Sequence, residues 1–195
     1  MRKTYLITLI ISVFVFLLAS CKDTVSNETS DVFMLRPHEE WPQDLDADAC
    51  FKVFLAGTID MGNSVDWQRQ TFDYFKGMDR TCVLFNPRQE HWDASREGEM
   101  DFQVNWELEH LEQSDCIIMN ILGNSQSPIS LLEMGLFARS GKLLVACEKD
   151  FYRYDNVRIT CQRYQIPLYD NLDDLLQANF ADKKVKSAFN PKFGR

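Results

Sequence analysis

Short apolar runs alternate with longer stretches of helical periodicity from residue 51 onward, and this alternation constrains the fold more than any other feature. Four apolar runs are typical of buried strands, at residues 51–56, 81–85, 116–122 and 143–147, and a weaker fifth lies at 165–168. Helices are predicted between and after them, at residues 64–78, 101–113, 128–140 and 172–179. Strands that alternate with helices predict an α/β domain with a parallel sheet and helices on both faces.

Five strands in this arrangement favour a doubly wound, flavodoxin-like sheet with the strand order 2-1-3-4-5. Ligands bind such sheets at the carboxyl ends of the strands, where the order reverses beside the first strand. The loops after Ala56, Phe85 and Leu122 are therefore the predicted binding region. We place the domain at residues 49–180 and a polar tail at 181–195.

The first twenty residues are typical of an export signal. Positive charges at Arg2 and Lys3 precede a thirteen-residue, mainly apolar run that is too short for a membrane span of ~20 residues. The run ends in Leu-Ala-Ser-Cys at 18–21, which resembles the lipobox of bacterial lipoproteins. We expect 1–20 to be a signal peptide, Cys21 to carry a lipid, and 21–48 to tether the domain to an extracytoplasmic, periplasmic or surface face of a membrane. An ordinary signal peptide is the alternative.

The charge of the chain argues against one class of partner. The net charge is −8, and it becomes −10 when the signal peptide is removed, because that segment holds two cations and no acid. Binding to nucleic acid depends on clustered Lys and Arg side chains that neutralise phosphates. We therefore expect no nucleic acid partner.

The segment after the first strand offers candidate ligand-binding groups at Gly57, Thr58 and Asp60. A glycine lets backbone approach a ligand closely, and Thr58 supplies a hydroxyl. The segment lacks the GxGxxG spacing, so it does not predict a dinucleotide site. A glycine-containing structural turn is the alternative.

The helix predicted from Pro128 contains one conspicuous acid. Ser127 stands at the N-cap position and Pro128 at the first helical position, which is typical of a helix start. Glu133 is the only charged residue before Arg139, and it lies on an apolar stripe. An unpaired carboxylate in such a place is unfavourable unless it has a partner or a function. Glu133 is thus either a catalytic candidate or a buried acid satisfied by its neighbours.

A second acid is a weaker candidate. In the helix at 101–113, Val104, Leu108 and Leu111 have the spacing of a core-facing stripe, and Glu107 borders it. Glu107 can therefore reach inward. Its neighbours Asn105, Glu109 and Glu112 share a polar flank that is typical of a solvated face.

The loop after the second strand predicts either a lid over the site or a packed surface loop. Asn86-Pro87-Arg88 and, slightly later, Trp92 supply an amide, a guanidinium and an aromatic ring.

Five segments in order resemble the nucleoside 2-deoxyribosyltransferase-like family: VFLAGTI at 53–59, NPR at 86–88, WELE at 106–109, SD at 114–115 and SPISLLEMG at 127–135. The resemblance implies a flavodoxin-like fold, a nucleophile at Glu133 and a second acid at Glu107. It also implies a homo-oligomer, because the family completes its sites with a neighbouring chain. The implied chemistry, attack of a glutamate on C1′ of a nucleoside, needs no metal and no redox cofactor.

One position departs from the transferase pattern. The transferases have an aspartate six residues before the nucleophile, where this chain has Ser127. The related deoxynucleoside monophosphate N-glycosidases use a serine there to hold the 5′-phosphate. A transferase, a nucleoside or nucleotide hydrolase, and a catalytically silent lipoprotein that binds a nucleoside-like ligand or a partner are therefore the three expectations. The expected substrate-binding residues are Gly57, Thr58, Asp60, Asn86, Arg88, Trp92, Ser127 and Ser130.

Overall fold

The computed structural model describes residues 31–93 and 95–185, which form one parallel sheet covered by helices on both faces. The strands are β1 (Val32–Leu35), β2 (Phe51–Gly57), β3 (Cys82–Phe85), β4 (Cys116–Ile121), β5 (Leu143–Cys147) and β6 (Leu168–Tyr169). The helices are α1 (Trp67–Phe75), α2 (Glu99–Gln113), α3 (Pro128–Phe137), α4 (Tyr154–Tyr164) and α5 (Leu172–Phe180), with a 3₁₀ turn at Asp60–Gly62.

The strand order is β1-β3-β2-β4-β5-β6, and every pair is parallel. Without β1, this is the predicted order 2-1-3-4-5, so the flavodoxin-like doubly wound fold is confirmed. The predicted strand count of five was wrong, since the described sheet has six.

The additional strand lies within segment 21–48, which the sequence assigned to a tether. Val32 pairs with Cys82 and Leu35 with Phe85, which places β1 on the outer edge of β3. Four apolar residues before Arg36 and Pro37 are too few to show a period, so only the pairing with β3 makes this segment a strand.

The sheet positions the site because side chains alternate between two helical layers along each strand. In β2, Phe54 and Ala56 face the layer of α2, α3 and α4, and Val53 and Leu55 face α1 and α5. All six residues of β4 are buried. A strand buried on both faces reads as a continuous apolar run, which is why β4 was predicted well.

The buried face of α2 differs from the predicted stripe. Leu111 is buried, but Val104 and Leu108 are 43% and 37% exposed. The buried side instead runs through Gln103 and Trp106, because the large indole packs against the rings of β2 and β3. Helix α4 was not predicted, although Tyr154, Val157, Cys161 and Tyr164 have helical spacing and face the core.

Several sequence predictions concern residues outside the described ranges. The signal peptide at 1–20, the lipidated Cys21 and most of the tail at 181–195 belong to this group. Across residues 31–93 and 95–185, none of the helices has the length and apolar character needed to cross a membrane.

Candidate functional site

Gly57 ends β2 at the predicted carboxyl edge of the sheet. Its φ angle is 134°, and a Cβ atom there would lie 2.1 Å from the carbonyl oxygen of Asn120. The next residue, Thr58, donates its backbone N–H to that same oxygen over 2.9 Å. The close approach that requires a glycine is therefore the approach of β4, and it brings Thr58 beside the loop after β4.

Three buried hydroxyls meet at this point and form what we call the hydroxyl cluster: Thr58, Ser125 and Ser127. Thr58 Oγ1 lies 2.7 Å from Ser127 Oγ and 3.0 Å from Ser125 Oγ, and the two serine oxygens are 2.8 Å apart. Ser125 also donates to the Leu122 carbonyl, and the Leu122 N–H donates to Thr58 Oγ1. The cluster joins the loop after β2, here called the first loop, to the start of α3.

Ser127 occupies the N-cap position of α3, but its hydroxyl makes no capping bond. The residue has φ 41° and ψ 46°, in the left-handed region that is uncommon for residues other than glycine. This backbone conformation accompanies a hydroxyl that contacts Thr58 and Ser125 instead of the helix N–H groups. The hydroxyl of Ser127 is thus committed to the cluster between the two loops.

Arg88 holds the first loop in place. Its guanidinium donates to the backbone carbonyls of Gly62, Ser64 and Val65 at 2.6, 2.9 and 3.2 Å. The buried Asn86 accepts the Arg88 N–H at 3.0 Å through its side-chain oxygen. The loop after β3, which contains Asn86 and Arg88, therefore holds the first loop in place through these hydrogen bonds.

Asp60 and Trp92 remain exposed to solvent, Trp92 by 42%. Ser130 is buried one turn before Glu133 on α3. The structure thus brings Thr58 and Ser127 into direct contact, joins Arg88 to the first loop, and leaves Asp60 and Trp92 on the surface.

The two candidate acids lie in the same helical layer. Glu133 is 7% exposed, and burial, assisted by the charge of Glu107, raises its pKa from 4.5 to about 8. Burial also raises the pKa of Glu107, whereas a hydrogen bond from Gln103 lowers it. Two carboxyls in one electrostatic environment disfavour double ionisation, so the pair tends to retain a proton near neutral pH.

Sequence reasoning missed Gln103, which is buried on α2. Its Nε2 donates to Glu107 Oε1 over 2.7 Å and to the Pro87 carbonyl over 2.9 Å. Gln103 stands four residues before Glu107, and this spacing on a helix is the signal that would have found it. The next partner, Gln89, comes from the loop after β3 and donates both to Gln103 and to Glu99, the first residue of α2.

Residues 50–151 match the family model described as nucleoside 2-deoxyribosyltransferase like. The chain belongs to this family. The matched range contains both acids and the hydroxyl cluster, but not β1 or the segment that follows it.

One similar solved structure is a 2-deoxyribosyltransferase from the psychrotolerant bacterium Bacillus psychrosaccharolyticus. Its sequence is 17% identical, the match covers 69% of this chain and 97% of the other, and the TM-score is 0.49. No curated protein sequence matches the chain.

Proposed function

We propose that the protein cleaves the N-glycosidic bond of a deoxynucleoside and transfers the sugar to another base. The observation that carries this proposal is the buried Glu133, which shares its environment with a second acid, Glu107. A carboxyl with a strongly raised pKa, such as Glu133, near the carboxyl edge of a parallel sheet favours a catalytic role. The family to which the chain belongs supports the same chemistry.

In the proposed reaction, ionised Glu133 attacks C1′ of the sugar. The C1′–N bond breaks, its electron pair leaves with the base, and Glu107 donates a proton to that base. The resulting deoxyribosyl ester of Glu133 is then attacked at C1′ by an acceptor base, whose proton passes to Glu107. Two displacements on one carbon give overall retention of configuration, as in retaining glycosidases. No step of this scheme uses a metal or a redox cofactor.

The raised pKa values suit these roles but require the proton to move within the pair. Before substrate binds, the proton in this scheme resides mainly on Glu133, whose pKa of about 8 lies above neutral pH. Positive charge that develops at C1′ favours the ionised form of Glu133. Substrate binding in this scheme therefore moves the proton to Glu107, where the leaving base can take it.

A second candidate is hydrolysis of a deoxynucleoside 5′-monophosphate, with water in place of the acceptor base. The observation that favours it is Ser127, whose hydroxyl lies with those of Thr58 and Ser125 at the first turn of α3. Hydroxyls and helix N-termini are both suited to bind an anion such as phosphate. Gly57, Asp60, Asn86, Arg88, Trp92 and Ser130 remain proposed substrate-binding residues in both schemes.

One incubation separates the candidates. We would treat full-length protein in detergent with deoxyadenosine or its 5′-monophosphate, with and without cytosine, and follow the products by chromatography. Deoxycytidine formed only when cytosine is present supports a transferase, and free sugar or sugar phosphate without an acceptor supports a hydrolase. Failure to release any adenine, with the Glu133→Gln variant as the blank, would leave only a binding protein.

We also propose that the protein is a homo-oligomer in which a second copy covers the outer faces of α2 and α3. Six large apolar side chains on these faces are between 37% and 61% exposed: Met100, Val104, Leu108, Ile129, Leu132 and Leu136. Clusters of exposed apolar side chains of this kind mark protein–protein contacts.

We expect Leu132→Glu to reduce the mass measured by light scattering to that of one chain. Ile159→Glu, at a 56% exposed position on α4, is the control; an unchanged mass for Leu132→Glu would contradict this interface.

We further propose that the enzyme is held at a membrane surface by a lipid on Cys21. The support is the sequence at 18–21 and the mainly apolar run before it. Wild-type protein should partition into detergent, and Cys21→Ser should release it or leave it uncleaved. A correctly cleaved Cys21→Ser protein that still enters detergent would contradict the anchor.

A further inference from the structure

The chain between β1 and β2 packs onto α2 next to the candidate site. The imidazole of His38 stacks on the ring of Phe102, with 4.1 Å between centroids and 11° between planes. His38 Nε2 donates to the carboxylate of Glu99, 2.9 Å from Oε1 and 3.1 Å from Oε2. His38 lies outside residues 50–151, the range shared with the family.

Glu99, the first residue of α2, links this segment to the interior. Its side chain is only 3% exposed, and it also accepts from Gln89 Nε2 at 2.8 Å and from Arg96 at 3.4 Å. The bonds from His38 and Gln89 lower the pKa of Glu99, which therefore stays ionised at neutral pH. A fixed anion in this position orients the amide of Gln89, because an ionised carboxylate can only accept hydrogen bonds.

The amide of Gln89 in turn orients the amide of Gln103. Gln89 Nε2 donates to Glu99 and to Gln103 Oε1, the latter over 2.7 Å. Gln103 Nε2 then donates to the Pro87 carbonyl and to Glu107 Oε1. A flipped Gln103 amide would set its oxygen against two acceptors, so only one orientation satisfies all three partners.

We propose that His38, Glu99, Gln89 and Gln103 form a chain of positioning residues that holds the carboxyl of Glu107 in its catalytic orientation. The inference rests on the proposed function of Glu107. Because Oε1 accepts from Gln103, Oε2 is the oxygen that carries the transferable proton and faces the leaving base. The segment after β1 is therefore a working part of the site, although it lies outside the range shared with the family.

The test measures the titration of the Glu107 carboxyl carbon by NMR in the full-length protein, with the signal identified by its loss in Glu107→Gln. Gln103→Leu removes the bond that lowers the pKa of Glu107, so its midpoint should move to higher pH. Gln113→Leu is the matched control, since Gln113 donates to Glu109 at 2.9 Å on the exposed end of the same helix. An unmoved midpoint in Gln103→Leu, or an equal shift in the control, would overturn the proposal.

His38→Phe tests the far end of the chain, because it keeps an aromatic ring beside Phe102 and removes the donor to Glu99. We expect kcat for base release to fall about tenfold in Gln103→Leu and severalfold in His38→Phe, with little change in KM. The effect of His38→Phe on kcat should disappear in the Gln103→Leu background, since both residues act through the same series of hydrogen bonds to Glu107. Additive effects, or no effect of His38→Phe in wild type, would overturn the role of His38.

These two readouts separate this inference from the proposed function. If wild-type protein releases no base from any nucleoside tested while the Glu107 midpoint still moves in Gln103→Leu, the proposed function fails and the link to Glu107 stands. If base release proceeds and the midpoint does not move, only the positioning chain fails.

Discussion

Two glutamates on neighbouring helices have similarly low solvent exposure, yet their environments favour opposite protonation states. Glu99 at the start of α2 is 3% exposed, and Glu133 in the middle of α3 is 7% exposed. Hydrogen bonds from His38 and Gln89 lower the pKa of Glu99, whereas burial and the charge of Glu107 raise that of Glu133 to about 8. Low solvent exposure therefore does not by itself decide whether a carboxyl is ionised: hydrogen bonds outweigh desolvation at Glu99, whereas desolvation dominates at Glu133.

The largest expected effect is on activity. Glu133→Gln keeps the volume of the side chain and removes the carboxylate proposed as the nucleophile, so the proposed ester intermediate cannot form. We expect the rate of base release to fall by at least about 10³-fold, with folding intact. Glu112→Gln, an exposed acid on α2, is the control and should keep full activity. A wild-type rate in Glu133→Gln, with unchanged melting, would end the proposed mechanism.

The same substitution should change how stability depends on pH. A pKa raised from 4.5 to about 8 means that folded protein keeps a proton that unfolded chain has released. The contribution of Glu133 to the free energy of unfolding is therefore fully present below about pH 4.5 and is lost as the pH rises toward 8, by about 5 kcal/mol at most. Denaturant unfolding at several pH values should show that the free energy of unfolding of Glu133→Gln rises relative to that of wild type between about pH 4.5 and 8. Parallel curves would contradict the raised pKa.

Glu99 should show the opposite sign. Its lowered pKa adds stability that is present above pH 4.5 and is lost as the pH falls through the folded pKa. Glu99→Gln should therefore lower the free energy of unfolding most at neutral pH and least in acid, relative to wild type in the same unfolding series. If both variants changed with pH in the same direction, the contrast between the two acids would be wrong.

The smallest expected effect concerns the neutral hydroxyl cluster. Ser127→Ala should lower the free energy of unfolding by about 1 kcal/mol at every pH, because the cluster contains no charged group. Ser140→Ala is the control, since Ser140 donates to the Phe137 carbonyl at the other end of α3. If Ser127 also holds a phosphate, wild type should prefer deoxynucleoside monophosphates in kcat/KM, and Ser127→Asp should reverse that preference. An unchanged preference would limit Ser127 to a structural role.

The sequence indicated one of these two acids, Glu133, but not the other, Glu99. Glu133 stood out because it is the only acid before Arg139 in an apolar helix, a signal contained within ten residues. Glu99 did not stand out, because its main partner, His38, lies 61 residues earlier in a segment without periodicity. The face of α2 was misjudged for a related reason: the apolar side chains on its outer side have helical spacing as well.

Local patterns were enough to define the strands from β2 to β5 and their order with a short β6, and they led to the prediction that a ligand binds at the carboxyl edge of the sheet. These features follow from periods of 2 and 3.6 residues and from the handedness of β-α-β connections, which short segments encode. The tertiary structure alone decided that 32–35 form an edge strand, that Ser127 turns its hydroxyl to Thr58, and that a hydrogen-bonded chain from His38 reaches Glu107. Each of these depends on atoms that only folding brings within about 3 Å, and no local period records such distances.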